Sequence, residues 1–402
     1  MITRRSMLKT GAAGAFTLAA GVFGPTPGAF AGAAPSTLPN AGSLQAALDD
    51  IAASAASAVL AEVQDAGRVW RGSSGVAELG TSLPVPVNGR FRAGSITKSF
   101  VAAVVLQLAG EGCIALDEPI ERWLPGVVPD ADRITVRHLL QHTSGIVNYT
   151  NTRDFRTLYG GVDAVVGMRD RTWTPQELLA FITGQPLLFE PGTSWTYSNT
   201  NYILLALIVG QATGNPYATE VERRILRPLG LRDTELPGAE STIAGPHPHG
   251  YLPGEQDGNV EPVDITVFNP SVAGASGEIV STTAELNRFF RALLTGRLLR
   301  PAQLAQMQTA WPTGRSYDYG LGLQTMLLAD GTRLWGHEGD IFGYQASSWT
   351  TEDGGRQLTV AVTPWGTGDL DALLDNLLAT AFSRSPRSRM MTATDPITSR
   401  PA

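Results

Sequence analysis

The sequence predicts an α+β (mixed α/β) domain, in which an antiparallel sheet flanked by helices stands beside an inserted helical part. Short apolar runs broken by glycines, which are typical of strands and hairpins, occupy residues 58–87 and return after residue 319. The region between them, 115–270, has a mostly helical pattern with long loops rich in proline and glycine. With 43% hydrophobic and 17% charged residues, the 402-residue chain is able to bury a substantial core.

The elements follow in order along the chain. Residues 44–57 have helical character, and two unbroken apolar segments predict buried helices at 100–108 and 202–209. The later pattern predicts a closing helix at 370–382 and strands at 320–328, 333–336, 344–350 and 356–362.

These elements predict one domain over 43–383, preceded by a linker at 32–42 and followed by a flexible, polar tail at 384–402. Strands from both ends of the chain most simply join in one sheet. We therefore expect a sheet part at about 43–114 and 271–383 and a helical part at about 115–270. The cleft between the two parts is the default position for a functional site.

The N-terminus predicts an export signal over 1–31. Arg4 and Arg5 form a twin-arginine pair, a mild apolar run follows at 11–22, and Ala29-Phe30-Ala31 offers small residues for cleavage. We expect cleavage near Ala31 and a secreted, extracellular protein without a stable membrane anchor.

Composition excludes several classes of function. The net charge of −7 argues against nucleic-acid binding, which needs clustered Lys and Arg. The single cysteine, Cys113, allows neither an internal disulfide nor a four-cysteine zinc site. His138 and His142 stand at i, i+4 but lack a third ligand, so we expect a structural role, no metal and no cofactor. The oligomeric state is left open.

Lys98 is the only lysine after the predicted signal, in a chain that otherwise uses arginine. It stands three residues after Ser95, at the start of the first buried helix, so the two side chains share one face. A serine hydroxyl is a poor nucleophile until a neighbouring group takes its proton, and a lysine whose charged form is disfavoured by burial has that ability. This pattern predicts a nucleophilic Ser95 activated by Lys98.

Two further motifs fit the same chemistry. Tyr197-Ser198-Asn199 precedes the second buried helix, and we expect Tyr197 to act as a general base whose pKa is lowered by the lysine cation. We expect Asn199 to hold a substrate amide. His337-Glu338-Gly339 ends a late strand whose edge would bind an extended substrate, and the backbone N–H groups of Asp340 and Ser95 would form an oxyanion hole.

In order and spacing, Ser95-x-x-Lys98, Tyr197-x-Asn199 and His337-x-Gly339 resemble the motifs of the serine β-lactamase and penicillin-recognising hydrolases. Tyr-x-Asn points to the branch of class C β-lactamases and D-alanyl-D-alanine peptidases, in which the chain resembles the exported streptomycete carboxypeptidases. The resemblance covers about 44–382. It implies the β-lactamase/transpeptidase-like fold, with a five-stranded sheet and an all-helical domain.

The same resemblance implies Ser95 as the acyl-enzyme nucleophile, Lys98 and Tyr197 as the proton-handling pair, and Asn199 as a substrate-positioning residue. His337 would replace the usual lysine of the third motif and donate a hydrogen bond to the substrate. Gly339 and Asp340 complete the substrate-binding strand.

One position departs from the carboxypeptidase pattern. Where those enzymes have an arginine that grips the substrate's terminal carboxylate, this chain has Gln324. Glu338 and Asp340 add negative charge nearby, which repels a carboxylate. Arg333, on the same predicted strand face as His337, is a candidate replacement cation.

Several functions therefore remain as alternatives. The first is a secreted serine-type D-alanyl-D-alanine carboxypeptidase acting on peptidoglycan-type peptides. The second is an aminopeptidase, amidase or esterase for D-amino acid derivatives. The third is a penicillin-binding sensor with little turnover, and the fourth is a pure binding module. The expected ligands are small peptides, amides or esters, with β-lactams as a further class, and β-lactamase turnover is not excluded.

Overall fold

The computed structural model describes residues 38–256 and 258–383. The predicted signal, most of the linker and the predicted tail lie outside this part of the chain. Within it, the strands are β1 Ala56–Asp65, β2 Arg68–Gly75, β3 Phe91–Arg92, β4 Tyr251–Gln256, β5 Asn259–Asp264, β6 Val280–Ser281, β7 Asp318–Tyr319, β8 Gln324–Leu327, β9 Arg333–Ile341, β10 Tyr344–Thr351 and β11 Arg356–Pro364.

The helices within the described residues include those that the sequence predicts. They are α1 Ala41–Ser54, α2 Thr97–Gly110, α3 Val136–Gln141, α4 Arg153–Tyr159, α5 Val162–Met168, α6 Pro175–Ala180, α7 Thr200–Thr213, α8 Tyr217–Val221, α9 Arg227–Leu229, α10 Thr283–Leu294, α11 Pro301–Met307 and α12 Leu370–Phe382. The predicted buried helices correspond to α2 and α7, and the closing helix corresponds to α12. None of these helices is long and apolar enough to span a membrane.

The main sheet has the strand order β2-β1-β11-β10-β9-β8-β7, and each neighbouring pair is antiparallel. The expected antiparallel sheet flanked by helices is confirmed. The expected number of five strands is wrong, because the described residues place seven in this sheet. Strands from both ends of the chain meet where β1 pairs with β11, as expected.

Several element boundaries differ from the sequence expectation. The first helix begins at Ala41, inside the predicted linker, and ends at Ser54, where β1 takes over. The predicted strand at 320–328 is shorter than expected and covers only β8, because the Gly-Leu-Gly-Leu run at 320–323 forms the connection between β7 and β8. Gly322 has φ +79°, and its carbonyl accepts a 2.7 Å hydrogen bond from Ser99 of α2. A Cβ on Gly322 would collide with the Cβ of Ala102, so this connection packs directly on α2.

Two apolar cores lie on opposite faces of the sheet. One contains α1 and α12 packed on side chains such as Val59, Trp349 and Val360. The other is larger and joins the opposite face to α2, α10 and the helical part through Leu60, Phe100, Phe289 and Leu204, among others. Helix α2 therefore lies between the sheet and the helices, which places its N-terminus at the junction of the two parts.

Candidate active site

Ser95 lies in a single 3₁₀ turn, Gly94–Ile96, that connects β3 to α2. Gly94 has φ +52°, a conformation that favours glycine, and a Cβ there would lie 2.8 Å from the amide nitrogen of Asp340. A Cβ on Gly339 would likewise lie 2.9 Å from the amide nitrogen of Ser95. The two glycines thus allow strand β9 to touch the turn that carries Ser95. The structure gives Gly339 this packing role.

Lys98 is completely buried on the first turn of α2. Its Nζ lies 3.0 Å from Ser95 Oγ and donates a 2.6 Å hydrogen bond to the carbonyl of Ser276. Burial lowers the pKa of the Lys98 amine well below its usual value, because a charged ammonium is poorly solvated there. The neutral amine has a lone pair that is able to accept the Ser95 proton.

Tyr197 lies beside this pair. Its ring centroid is 4.7 Å from Lys98 Nζ, and its hydroxyl hydrogen-bonds to Ser95. Burial raises the pKa of the Tyr197 phenol well above its usual value, although the bond to Ser95 acts in the opposite direction. The expectation of a lowered tyrosine pKa is wrong, because burial disfavours charge on both partners. The geometry therefore places beside Ser95 a lysine and a tyrosine whose pKa values are both shifted towards the neutral form.

Asn199 stands two residues further on, directly before α7. Its backbone N–H donates to Asn148 Oδ1 at 3.1 Å. Its side-chain Oδ1 has no hydrogen-bond partner among the described residues, although it is shielded from solvent. An amide acceptor left without a partner at this position suits the N–H of a bound substrate.

The edge of β9 beyond β8 faces the Ser95 turn. Pairing between β8 and β9 covers Gly336 but does not extend to residues 337–341. The N–H of Glu338 points to this open edge, because it donates to Gln324 Oε1 at 2.8 Å. N–H groups two residues apart point the same way in a strand, so that of Asp340 also faces the edge. The predicted oxyanion-hole donors are thus brought together.

His337 has a different environment from the one predicted. Its Nδ1 donates to the carbonyl of Glu338 at 2.5 Å, and its Nε2 lies 3.0 Å from the hydroxyl of Tyr319. Burial, reinforced by Lys98, lowers the pKa of His337 to about 3, so the ring is neutral at pH 7. In this geometry the ring's one N–H bonds to the backbone, and its donation to a substrate stays a prediction.

Gln324, the predicted substrate-binding residue, is almost fully buried. It pairs opposite Gly336, so its side chain shares a face of the sheet with Glu338 and Asp340. Its side chain also hydrogen-bonds to the hydroxyl of Tyr317. An uncharged amide thus occupies the position where the carboxypeptidases have an arginine, and it accepts a hydrogen bond from Glu338 at the open edge of β9.

Arg333 does not replace the missing arginine. It donates to Thr325 Oγ1 at 3.3 Å. It stands four residues before His337, which is about 13 Å along a strand. Arg315 was not predicted as a site residue; its guanidinium lies 5.3 Å from the Trp195 ring centroid and hydrogen-bonds to Tyr317. No motif marks this loop arginine.

The region also contains an aromatic cluster that was not predicted. Tyr197, Tyr317 and Tyr319 pack together, with Trp195 against them. His142 contacts the same cluster, with its ring centroid 4.3 Å from that of Tyr197. His138, by contrast, belongs to the cap of α3. Among the described residues, no group of three or more His, Cys, Asp or Glu side chains is arranged to hold a metal.

Comparison with known proteins agrees with this arrangement. The family model described as Beta-lactamase matches residues 44–381, which is most of the chain. The chain belongs to the β-lactamase family. This family match includes the Ser95, Tyr197 and His337 motifs and the sheet that positions them.

Penicillin-binding protein 4 of Amycolatopsis lactamdurans is 30% identical over 77% of this chain and 78% of that protein. Among solved structures, a D-stereospecific amidohydrolase from Streptomyces sp. has a TM-score of 0.78 and 38% identity, over 86% of this chain and 99% of that one. The D-amino acid amidase of Ochrobactrum anthropi has a TM-score of 0.74 and 29% identity, over 85% and 98%.

The alignments with the first two curated relatives span 61% and 49% of those proteins' lengths. Together the comparisons place the chain among the serine hydrolases that include penicillin-binding proteins, D-aminopeptidases, D-amino acid amidases and esterases.

Proposed function

We propose that this family member is a serine amidohydrolase that cleaves amides or esters of D-amino acids through an acyl-enzyme on Ser95. The observation that carries the choice of substrate is the open edge of β9. There Gln324 is uncharged and bonded to Glu338, and two carboxylates border the edge. Such an edge suits a leaving group without a carboxylate. The similarity to two amide-cleaving D-specific enzymes supports the same choice.

In the proposed reaction, the neutral Lys98 amine accepts the Ser95 proton as Oγ attacks the substrate carbonyl carbon. The backbone N–H groups of Ser95 and Asp340 stabilise the oxyanion. The proton then passes to the leaving amine or alkoxide, with the Tyr197 hydroxyl beside Ser95 as the relay. Water attacks the acyl-enzyme next, and the same pair takes its proton and returns it to Ser95 Oγ as the ester bond breaks. Asn199 holds the acyl part of the substrate.

The second candidate is a D-alanyl-D-alanine carboxypeptidase, and one observation favours it. Arg315 supplies a cation beside Tyr317, next to the position of Gln324. However, Arg315 and Glu338 act in opposite directions on the pKa of Tyr317, so the two charges partly compensate there. We therefore rank the carboxypeptidase second. A penicillin-binding sensor would share Ser95 acylation but would deacylate slowly.

The deciding experiment compares two leaving groups on one peptide and the two stereoisomers of one amino acid amide. Initial rates are measured on an N-acylated peptide ending in D-Ala-D-Ala, on its C-terminal amide, and on D- and L-phenylalanine amide. Ser95→Ala serves as the blank. Faster release from D-phenylalanine amide than from its L-isomer, with slow cleavage of the free acid, is expected. Preference for the free acid would instead establish the carboxypeptidase, and a single burst without turnover would indicate a sensor.

We also propose export through the twin-arginine signal, on the basis of Arg4, Arg5 and the Ala-Phe-Ala sequence. The test is expression of the full chain beside an Arg4→Lys/Arg5→Lys variant in a host with this pathway. Wild-type protein in the medium beginning at Gly32, with the double variant retained in the cells, is expected. Equal export of both would contradict the proposal.

A further inference from the structure

His142 is a buried histidine that the proposed reaction does not use. It ends α3 with φ +62° and ψ +30°, a left-handed conformation that is uncommon for residues other than glycine. Its side chain is completely buried. A residue held in this way usually has surroundings that compensate for the strain.

The compensation comes from the segment that carries Tyr197. The carbonyl of His142 accepts from Thr196 N–H at 3.1 Å, and its Nδ1 accepts from Ser198 N–H at 3.3 Å. Asn201 Nδ2 lies 3.1 Å from the same Nδ1, and Asn201 Oδ1 accepts from Ser144. One histidine thus binds the main chain on both sides of Tyr197.

These contacts define the state of the imidazole. Two N–H donors converge on Nδ1, so the ring proton resides on Nε2. That nitrogen is buried and has no hydrogen-bond partner among the described residues. Burial, with Lys98 and His337 nearby, lowers the pKa of His142 well below its usual value. The acceptor function of Nδ1 therefore persists at neutral pH.

We propose that His142 is a positioning residue that holds the Tyr197 hydroxyl against Ser95. The proposal rests on the proposed acyl-enzyme function. The ring packs on Tyr197 at 4.3 Å with an interplanar angle of 39°, and its Nδ1 fixes the backbone at Ser198. A displacement of about 1 Å in a reacting geometry is enough to reduce a rate by roughly 100-fold.

The test distinguishes the contribution of the Nδ1 hydrogen-bond acceptor of His142 from that of its aromatic ring. His142→Phe keeps an aromatic ring but removes the acceptor, whereas His142→Asn supplies an oxygen near the position of Nδ1 and tolerates the left-handed conformation. We measure kcat and KM for amide hydrolysis, and the rate at which a fluorophosphonate labels Ser95. His142→Phe is expected to lower kcat by about 100-fold with little change in KM. His142→Asn is expected to recover most of the rate.

The matched control is His138→Gln, on the same helix. His138 belongs to a capping box, in which glutamine is also a preferred residue, so this variant removes an imidazole without touching the Tyr197 segment. Its kcat is expected to stay within twofold of the wild type. Melting curves and near-UV circular dichroism verify the fold of every variant.

Two results would overturn the proposal: a His142→Phe enzyme with wild-type kcat, or folded Phe and Asn variants that are equally slow. If the Phe variant does not fold, ¹⁵N NMR of the histidines in the wild-type protein decides. A His142 that is charged or protonated on Nδ1 at pH 7 contradicts the proposal. Failure of the proposed function is recognised separately, by undiminished labelling of Ser95→Ala.

Discussion

The reactivity of individual residues in this site depends on burial. Lys98, Tyr197 and His337 each have a pKa shifted towards the neutral form, and in each case loss of hydration is the largest cause. For Lys98 this shift matters because a neutral amine has the lone pair needed to accept the Ser95 proton, whereas a charged ammonium has none. The sequence identifies these residues by motif, but their protonation states follow from their surroundings.

Replacing Lys98 by arginine tests the need for a neutral base. Arginine keeps its proton under all conditions that a folded protein tolerates, so it cannot accept one from Ser95. We expect kcat/KM for amide hydrolysis to fall by roughly 1,000-fold, within the range for loss of a general base. The measurement is initial rates on folded protein, with Ser95→Ala as the background. A fall of less than tenfold would contradict the assigned role.

Substitutions of Gln324 test the origin of the leaving-group preference. We expect Gln324→Arg to raise the ratio of free-acid to amide cleavage by at least about fivefold, because one close charge pair contributes about 1 kcal/mol or more. Gln324→Leu is the matched control, since it also loses the bond to Glu338 but adds no charge. An equal change of the ratio in both variants would show that loss of the hydrogen bond to Glu338, and not the added charge, determines the leaving-group preference.

At the scale of elements, the site depends on the contact of β9 with the turn before α2. Gly94 and Gly339 face each other across this contact, and each lies where a side chain would collide with backbone atoms. The sheet and the turn before the first buried helix therefore contact each other at two glycines. One oxyanion-hole donor, the N–H of Asp340, belongs to β9, and the other, the N–H of Ser95, belongs to the turn. The contact leaves no room for a methyl group.

Gly339→Ala is expected to separate these elements. The added Cβ would collide with the Ala93 carbonyl and lie 2.9 Å from Ser95 N, so the strand must shift. Loss of an oxyanion donor reduces kcat by roughly 100- to 1,000-fold, and we expect a fall of this size with a lowered melting temperature. Gly167→Ala, a helical glycine with open space around it, is the control and should keep full activity.

At the scale of the whole molecule, one buried carboxylate joins the helical part to the site. Glu278 accepts from Gly238 N–H at 2.9 Å and hydrogen-bonds to Tyr217 of α8. It lies two residues after Ser276, whose carbonyl holds Lys98. Burial raises the pKa of Glu278 from 4.5 to about 7. This acid therefore binds its proton more tightly in the folded than in the unfolded protein.

The sign of its effect on stability follows from proton binding. Since the folded state binds more protons between pH 4.5 and about 7, the free energy of unfolding falls as the pH rises through this window. Glu278→Gln removes this dependence. We expect the melting temperature of the variant to exceed that of the wild type at pH 8 and to match it at pH 5. If the difference in melting temperature between the variant and the wild type were the same at pH 5 and pH 8, this result would contradict the raised pKa.

The sequence by itself determined the α+β class, the buried helices α2, α7 and α12 and the motifs around Ser95, Tyr197 and His337. Apolar periodicity and motif spacing depend on residues close together in the sequence, so they can be identified from the sequence alone. It did not determine the seven-stranded sheet, because short edge strands such as β7 depend on the partners that they meet. It also misassigned the direction of the pKa shift of Tyr197.

Only the tertiary structure decided those features. Burial and hydrogen-bond partners come from segments far apart in sequence: Ser276 reaches Lys98, Tyr319 reaches His337, and His142 reaches the Tyr197 segment. A pKa measures the free energy of a charge in its surroundings, and those surroundings exist only once the sheet and the helices have packed together. The sequence thus names the reacting groups, and the packing sets their protonation states and their partners.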